Sequence, residues 1–330
     1  MDNPVISVFG AGSYGTALAI QLARNGQAVA LWGRDEAVIA GMRDSGVNSR
    51  YLPDCPLPDR VQPTADLAVA AAAPRWLVAV PSHALDALLA KLAPLRKANT
   101  QVLSAAKGFV PHTAQMPHEI VQQHMPGAAF VAISGPTFAA EVGRGVPSAV
   151  TIASPDEALA REVAEQLHGP GMRAYTSTDV IGVAVGGGVK NVVAIAVGAA
   201  DGLGLGANTR ALLITRGLSE MMRLSTALGG EKDTLMGLAG MGDLVLTCTD
   251  DQSRNRRFGK ALGSGDDLAA AEAAIGQVVE GKRNAVEVHA LAQRHGVDMP
   301  LAEEVYKVLH EGVPVREAFW RLASRPQRSE

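Results

Sequence analysis

Gly10-Ala11-Gly12-Ser13-Tyr14-Gly15 follows the apolar run 5–9 and opens the helical pattern of residues 13–24. A strand, a glycine turn of this spacing and a helix together read as a dinucleotide-binding element. Gly10 permits the tight turn, Gly12 lets the backbone approach a pyrophosphate, and Gly15 allows close helix–strand packing. The helix N-terminus then offers N–H groups to the anion. The competing reading is a glycine-rich turn that binds nothing, and it leaves the agreement of strand, spacing and helix unexplained.

Residues 28–32 read as the next strand, which runs into Gly33-Arg34 with Asp35 and Glu36 behind it. At this place an acidic side chain usually receives a ribose 2′-hydroxyl, whereas an arginine accommodates a 2′-phosphate. Arg34 therefore favours NADPH and leaves NADH use open; Trp32 or Arg34 would cover the adenine. The alternative is a solvated arginine paired with Glu36.

Outward from this element, apolar runs at 76–80, 101–105, 129–134 and 148–153 alternate with helical stretches such as 82–92 and 156–167. That alternation predicts βαβ units and a largely parallel sheet with helices on both faces. The Pro-rich residues 48–58 read as a loop. Beyond about residue 180 helical patterns take over, at 180–200, 209–228, 284–295, 301–310 and 315–323, with Gly229 and Gly296 as stops. The expected organisation is an α/β Rossmann-type N-terminal domain over 1–180 that binds the dinucleotide. An all-α C-terminal domain over 181–330 is expected to bind substrate. A length of 330 residues suits two cores.

Composition excludes several classes. With 47% hydrophobic and 19% charged residues the chain reads as globular. A formal net charge of −3 offers no general attraction to nucleic acid or anionic lipid. Cys55 and Cys248 stand far apart, which suits a reducing cytoplasm, and no export signal is evident at the N-terminus. Residues 180–200 are long and apolar enough to be weighed as a membrane span. Lys190 and Asn191 at their centre would be costly in lipid, so a buried core helix is the expectation and membrane insertion is not. His112, His118 and His124 lack zinc-ligand spacing, and no metal is expected.

Lys190 in that apolar helix is a candidate proton donor and acceptor, because a lysine so placed must find an anionic partner or lose its charge. Gly186, Gly187 and Gly188, one turn earlier, would let a ligand or another backbone come close. The competing reading is a lysine that reaches the surface or pairs structurally. Asp243, in Gly240-Met241-Gly242-Asp243, either holds Lys190 or caps a helix. Ser253-Arg254-Asn255-Arg256-Arg257 is a basic cluster in a slightly acidic chain, and arginine forks match phosphate oxygens. It could equally be a solvated helix face. A nucleic-acid patch is disfavoured, since only Phe258 supplies an adjacent aromatic. Pro81-Ser82-His83, Lys107-Gly108 and Ser134-Gly135-Pro136-Thr137 each follow an apolar run, at the sheet edge where ligands of open α/β sheets bind.

Taken together, these segments closely resemble the bacterial NAD(P)-dependent glycerol-3-phosphate dehydrogenases. The resemblance is carried by GAGSYGTALA at 10–19, VPSHAL at 80–85, AKGF at 106–109, SGPTFAAE at 134–141, GGGVKNVVAIA at 186–196, GLGLGANTRALLITRGLSEM at 202–221, GMGDLVLTCTDDQSRNRRFGK at 240–260 and VVEG at 278–281. It implies interconversion of dihydroxyacetone phosphate and sn-glycerol 3-phosphate for glycerophospholipid synthesis, with Lys190 as general acid/base. It also implies that Lys107, Gly135, Thr137, Asp243, Ser253, Arg254 and Asn255 surround a small phosphorylated substrate. Ser13, Tyr14, Arg34, Lys107, Ala139, Arg254, Val278 and Glu280 would contact the cofactor, and the chain would form a homodimer. Where the family often has tryptophan–alanine–threonine before the lysine matching Lys107, this chain has Ser104-Ala105-Ala106, which changes that lysine's surroundings. Two other readings remain to be told apart: another two-domain reductase acting on a hydroxy acid or sugar acid phosphate, and an NAD(P)-binding redox sensor without chemistry.

Overall fold

The computed structural model describes residues 3–326, so the extreme ends of the two expected domains lie outside the described residues. The chain forms two compact units. One holds the residues up to Val110 together with Gln115–Ala184; the other holds Pro111–Ala114 and the residues from Val185 onward. That four-residue excursion into the second unit has no counterpart in the hydrophobic pattern.

The first unit is built on an eight-stranded sheet. Its strands, with the two of a small separate hairpin, are β1 (Ile6–Phe9), β2 (Val29–Trp32), β3 (Val47–Asn48), β4 (Leu52–Pro56), β5 (Val61–Thr64), β6 (Arg75–Val78), β7 (Gln101–Ser104), β8 (Ala129–Ser134), β9 (Ser148–Ala153) and β10 (Met172–Ser177). The order is β10-β9-β8-β7-β6-β1-β2-β5. Every pairing in this sheet is parallel except β8 with β9. From β1 the chain first builds outward through β2 to β5, then returns to add β6 on the other side. The strand order thus reverses at β1, and the carboxyl end of β1 is where such sheets open a ligand crevice. The helix Ser13–Arg24 that starts there buries Ala17, Leu18, Ile20 and Leu22 against the sheet's core residues Val8, Leu31 and Leu77.

Residues 48–58 are not a plain loop. Val47–Asn48 and Leu52–Pro56 pair as an antiparallel hairpin. Asn48 is fully buried and donates to the Ala11 carbonyl (3.0 Å) and to Thr16 Oγ1 (2.7 Å), fastening the hairpin to the glycine turn.

The second unit is helical. Val180–Gly202 begins just before the division and is long and apolar enough to cross a membrane by length and composition, yet 83% of its apolar window is buried inside the structure. The other helices include Gly206–Ala227, Arg254–Ser264, Glu280–His295, Pro300–His310 and Val315–Ala323. Small residues let Val180–Gly202 touch Arg254–Ser264 backbone to backbone. A Cβ on Gly198 would run into the Arg256 carbonyl, and one on Gly259 into that of Ile195. Gly263 likewise faces Ala199, and Gly202 faces Lys260.

Glu220 ties Gly206–Ala227 to Pro300–His310. Its buried carboxylate accepts the N–H groups of Leu301 (2.7 Å) and Ala302 (3.1 Å) at that helix's open end. Burial nevertheless outweighs those two bonds and pushes its pKa from 4.5 up to about 7. A carboxyl whose folded pKa is raised contributes stability that is complete below its unfolded pKa and lost as pH climbs through the folded value. The wild type is therefore expected to lose on the order of 3 kcal/mol relative to Glu220→Gln between pH 4.5 and pH 8. Urea unfolding of both proteins across that range checks this; parallel pH profiles would contradict it.

Candidate active site

In the first unit, the glycine turn passes a steric test for a dinucleotide. Gly10 sits at φ 120°, and a Cβ there would lie 2.6 Å from the Ala79 carbonyl oxygen. A Cβ on Gly12, by contrast, would meet nothing within 4 Å, so the backbone faces open space on that side. Gly12 is the N-cap of Ser13–Arg24 and no side chain caps it, which suits an anion at the helix end. Gly15 has no room for a side chain, because a Cβ would run into the Gly10 carbonyl.

Tyr14, Lys107, Gly135 and Thr137 come together at the carboxyl edge of the sheet. Tyr14 Oη and Thr137 Oγ1 are 2.9 Å apart. Thr137 Oγ1 (3.1 Å) and Lys107 Nζ (3.2 Å) both donate to the Gly135 carbonyl. The Lys107 ammonium also lies 5.4 Å from the centre of the Tyr14 ring, within cation–π reach. Ala139 opens the next helix, Ala139–Arg144. The Ser104-Ala105-Ala106 departure thus leaves Lys107 on two well-placed partners.

At the end of β2, Trp32 is held in place: its indole N–H donates to the Ala65 carbonyl (3.1 Å) and its ring lies 6.0 Å from that of Phe9. Arg34 is exposed and makes no ion pair among the described residues, with Glu36 or otherwise.

In the second unit, Lys190 is 5% exposed and Asp243 1%. Lys190 Nζ donates to Asp243 Oδ1 (2.7 Å) and to Thr247 Oγ1 (3.0 Å). The Thr247 hydroxyl in turn donates to the Asp243 carbonyl (2.6 Å), one helical turn back. A buried ammonium alone would cost several kcal/mol, and the carboxylate beside it offsets that cost. Of the two readings left open for Asp243, the pairing is what the geometry contains. Gly186 makes room for protein: a Cβ there would run into the Ala239 carbonyl, so the turn bearing Gly240-Met241-Gly242 packs on this helix. Gly187 and Gly188 offer their carbonyls to the amides of Asn191 (3.4 Å) and Asn284 (3.0 Å). Nearby Cys248 is inert, since burial pushes its thiol far up despite Lys190 and Arg256.

The basic cluster divides by role. Ser253 caps Arg254–Ser264, accepting from the Arg256 N–H (3.2 Å). Arg254, the first helical residue, is partly exposed and donates to the Val278 carbonyl (3.1 Å) and Gln277 Oε1 (3.4 Å). Asn255 donates to Asn191 Oδ1 (2.9 Å) and accepts from the Gly281 N–H (2.9 Å). It thereby joins the residue after Lys190 to the start of Glu280–His295, beside Val278 and Glu280. Arg256 is buried and neutralised by Asp201 (2.6 Å) and Asp251, while Arg257 is exposed. Arg254 and Arg257 therefore keep their charge, and Arg254 holds its own at one of two helix N-termini that Asn255 links. Among the described residues no group of three or more His, Cys, Asp or Glu side chains is arranged to hold a metal.

Thr247 and Asn48 are among the residues of these arrangements that escaped the sequence reading. Thr247 had a signal, four residues after Asp243 on one helix face. Asn48 had none, because its partners lie 32 and 37 residues away in the chain.

A family model described as the NAD-dependent glycerol-3-phosphate dehydrogenase N-terminus matches residues 5–160, and the model for the C-terminus matches 179–320. The glycerol-3-phosphate dehydrogenase [NAD(P)+] of Thioalkalivibrio sulfidiphilus is 53% identical, covering 100% of both chains. That of Halorhodospira halophila is 52% identical over 98% of each. The crystal structure of glycerol-3-phosphate dehydrogenase from Coxiella burnetii matches with a TM-score of 0.94 and 46% identity, over 97% of this chain and 98% of that one. The chain belongs to the NAD-dependent glycerol-3-phosphate dehydrogenase family.

Proposed function

We propose that this protein interconverts dihydroxyacetone phosphate and sn-glycerol 3-phosphate with a nicotinamide dinucleotide, supplying the backbone of glycerophospholipids in the cytoplasm. The observation that carries the reading is the buried Lys190–Asp243–Thr247 group, within a chain whose full-length relatives are named for this reaction.

The cofactor, when bound, supplies a hydride to the carbonyl carbon. Gly10, Gly12, Ser13, Tyr14 and Gly15 hold its pyrophosphate end, with Lys107, Ala139, Val278 and Glu280 also assigned to it. Arg34 is available for a 2′-phosphate and tilts the preference to NADPH over NADH. Ser253, Arg254 and Asn255 bind the substrate phosphate, with Lys107, Gly135 and Thr137 assigned to the same substrate; Arg254 serves both ligands. Binding energy from the phosphate, remote from the reacting carbon, goes into orientation. Lys190, charged and held by Asp243 and Thr247, stabilises the developing alkoxide and gives it a proton. In the oxidising direction neutral Lys190 takes the hydroxyl proton, so oxidation gains from higher pH. The working form is a homodimer.

Absorbance assays of NADPH and NADH oxidation test this. Dihydroxyacetone phosphate should be reduced, faster with NADPH, and unphosphorylated dihydroxyacetone should react at most about a hundredth as efficiently. Similar rates with both ketones would overturn the assignment. So would tight cofactor binding without turnover.

A further inference from the structure

A second arginine, outside the dinucleotide motif, reaches the end of β2. Arg50 lies in the β3–β4 turn, and its Nη1 stands 3.2 Å from Oδ2 of Asp35, the residue next to Arg34. Asp35 is the acidic side chain best placed to receive a ribose 2′-hydroxyl, yet both its oxygens are committed. Oδ1 accepts from the N–H groups of Ala37 (3.1 Å) and Val38 (3.3 Å) as a helix cap, and Oδ2 holds Arg50. The turn carrying Arg50 is itself fixed to the glycine loop, through Asn48 on Ala11 and through Ser13 Oγ, which donates to the Tyr51 carbonyl (2.8 Å).

We propose that Arg50 is a specificity-determining residue for the cofactor: together with Arg34 it grips the 2′-phosphate of NADPH, exchanging Asp35 for that phosphate. This rests on the NADPH preference read from Arg34. The Arg50–Asp35 pair is 61% and 49% exposed on its two sides, and ion pairs so placed contribute little. A phosphate dianion offers more charge and more acceptor oxygens to the same guanidinium fork, so the exchange is favourable. Asp35 opposes it by repelling the phosphate, which makes Asp35 the adjustable element of the preference.

Calorimetric titration of the cofactor-free protein with adenosine 2′,5′-bisphosphate and with 5′-AMP tests the proposal. The wild type should bind the bisphosphate more tightly. Arg50→Ala should weaken the bisphosphate roughly tenfold and leave 5′-AMP unchanged. Arg50→Lys should recover part of the loss, and Asp35→Asn, which keeps the capping oxygen, should tighten the bisphosphate. Arg50→Gln gives a second neutral variant should the alanine protein fold poorly. If Arg34→Ala weakens the bisphosphate while Arg50→Ala matches the wild type, Arg34 acts alone and the proposal is overturned. Equal weakening of both ligands by Arg50→Ala would also overturn it, as a sign of a displaced hairpin. A wild type that binds both ligands equally would instead sink the NADPH preference, and this proposal with it.

Discussion

Replacing Lys190 with methionine is expected to lower turnover with dihydroxyacetone phosphate by about a thousandfold or more. The variant loses both a positioned proton donor and a cation beside the developing alkoxide. The same change leaves Asp243, 1% exposed, as a buried carboxylate without its cation. That should cost roughly 3–5 kcal/mol of stability. The two effects separate in Lys190→Met combined with Asp243→Asn, which removes both charges. This double variant should regain most of the lost stability in thermal unfolding while activity stays at the level of the single variant. Wild-type turnover from a folded Lys190→Met protein would exclude the lysine from the chemistry.

Arg254→Ala is expected to reduce kcat/KM for dihydroxyacetone phosphate by about two to three orders of magnitude, as for a charged fork removed from a phosphate. Its own ties, to the Val278 carbonyl and Gln277, are partly exposed and contribute little to folding. Thermal stability should therefore change slightly. Arg256→Ala, two residues on, should behave in the opposite way. Arg256 is buried between Asp201 and Asp251, so its loss should lower stability by several kcal/mol. Steady-state kinetics beside thermal unfolding for the two variants checks the contrast; the same pattern for both would show that the cluster has no such division.

That division was invisible in the sequence for a physical reason. Arg254, Arg256 and Arg257 are equally basic as letters, and only the tertiary fold brings Asp201 to Arg256 across 55 residues. The glycine turn and the long apolar helix were legible because their signals are local: spacing, strand context and a helix-length apolar run. The edge strands were not. β5 contains Pro63, tolerable at a sheet edge where its missing N–H costs nothing. At the other edge β10 exposes Ala174, Tyr175 and Thr176 in varying degree, which breaks the apolar run that marked the inner strands. The Asn48 hairpin was hidden by the prolines that made residues 48–58 read as a loop.

Lys190 marks the middle case. Its apolar surroundings announce a buried charge, but the choice between helix cap and ion pair for Asp243 rests on the 2.7 Å contact with Lys190, a long-range feature with no local signature. The close approach of Gly198 and Gly259 to facing carbonyls did have a signature, two glycines four apart in each helix at 198/202 and 259/263. Small residues so spaced let two helices touch, and here they set Lys190 and Arg254 on one rigid pair.

The central claim is hydride delivery to the ketone carbon of a phosphorylated triose. It is tested most directly by incubating the protein with dihydroxyacetone phosphate and NADPH deuterated at both C4 positions, then analysing the product by NMR and mass spectrometry. The account predicts sn-glycerol 3-phosphate carrying one deuterium at C2 and none elsewhere. Unlabelled product, label at another carbon, or no glycerol phosphate at all would contradict it.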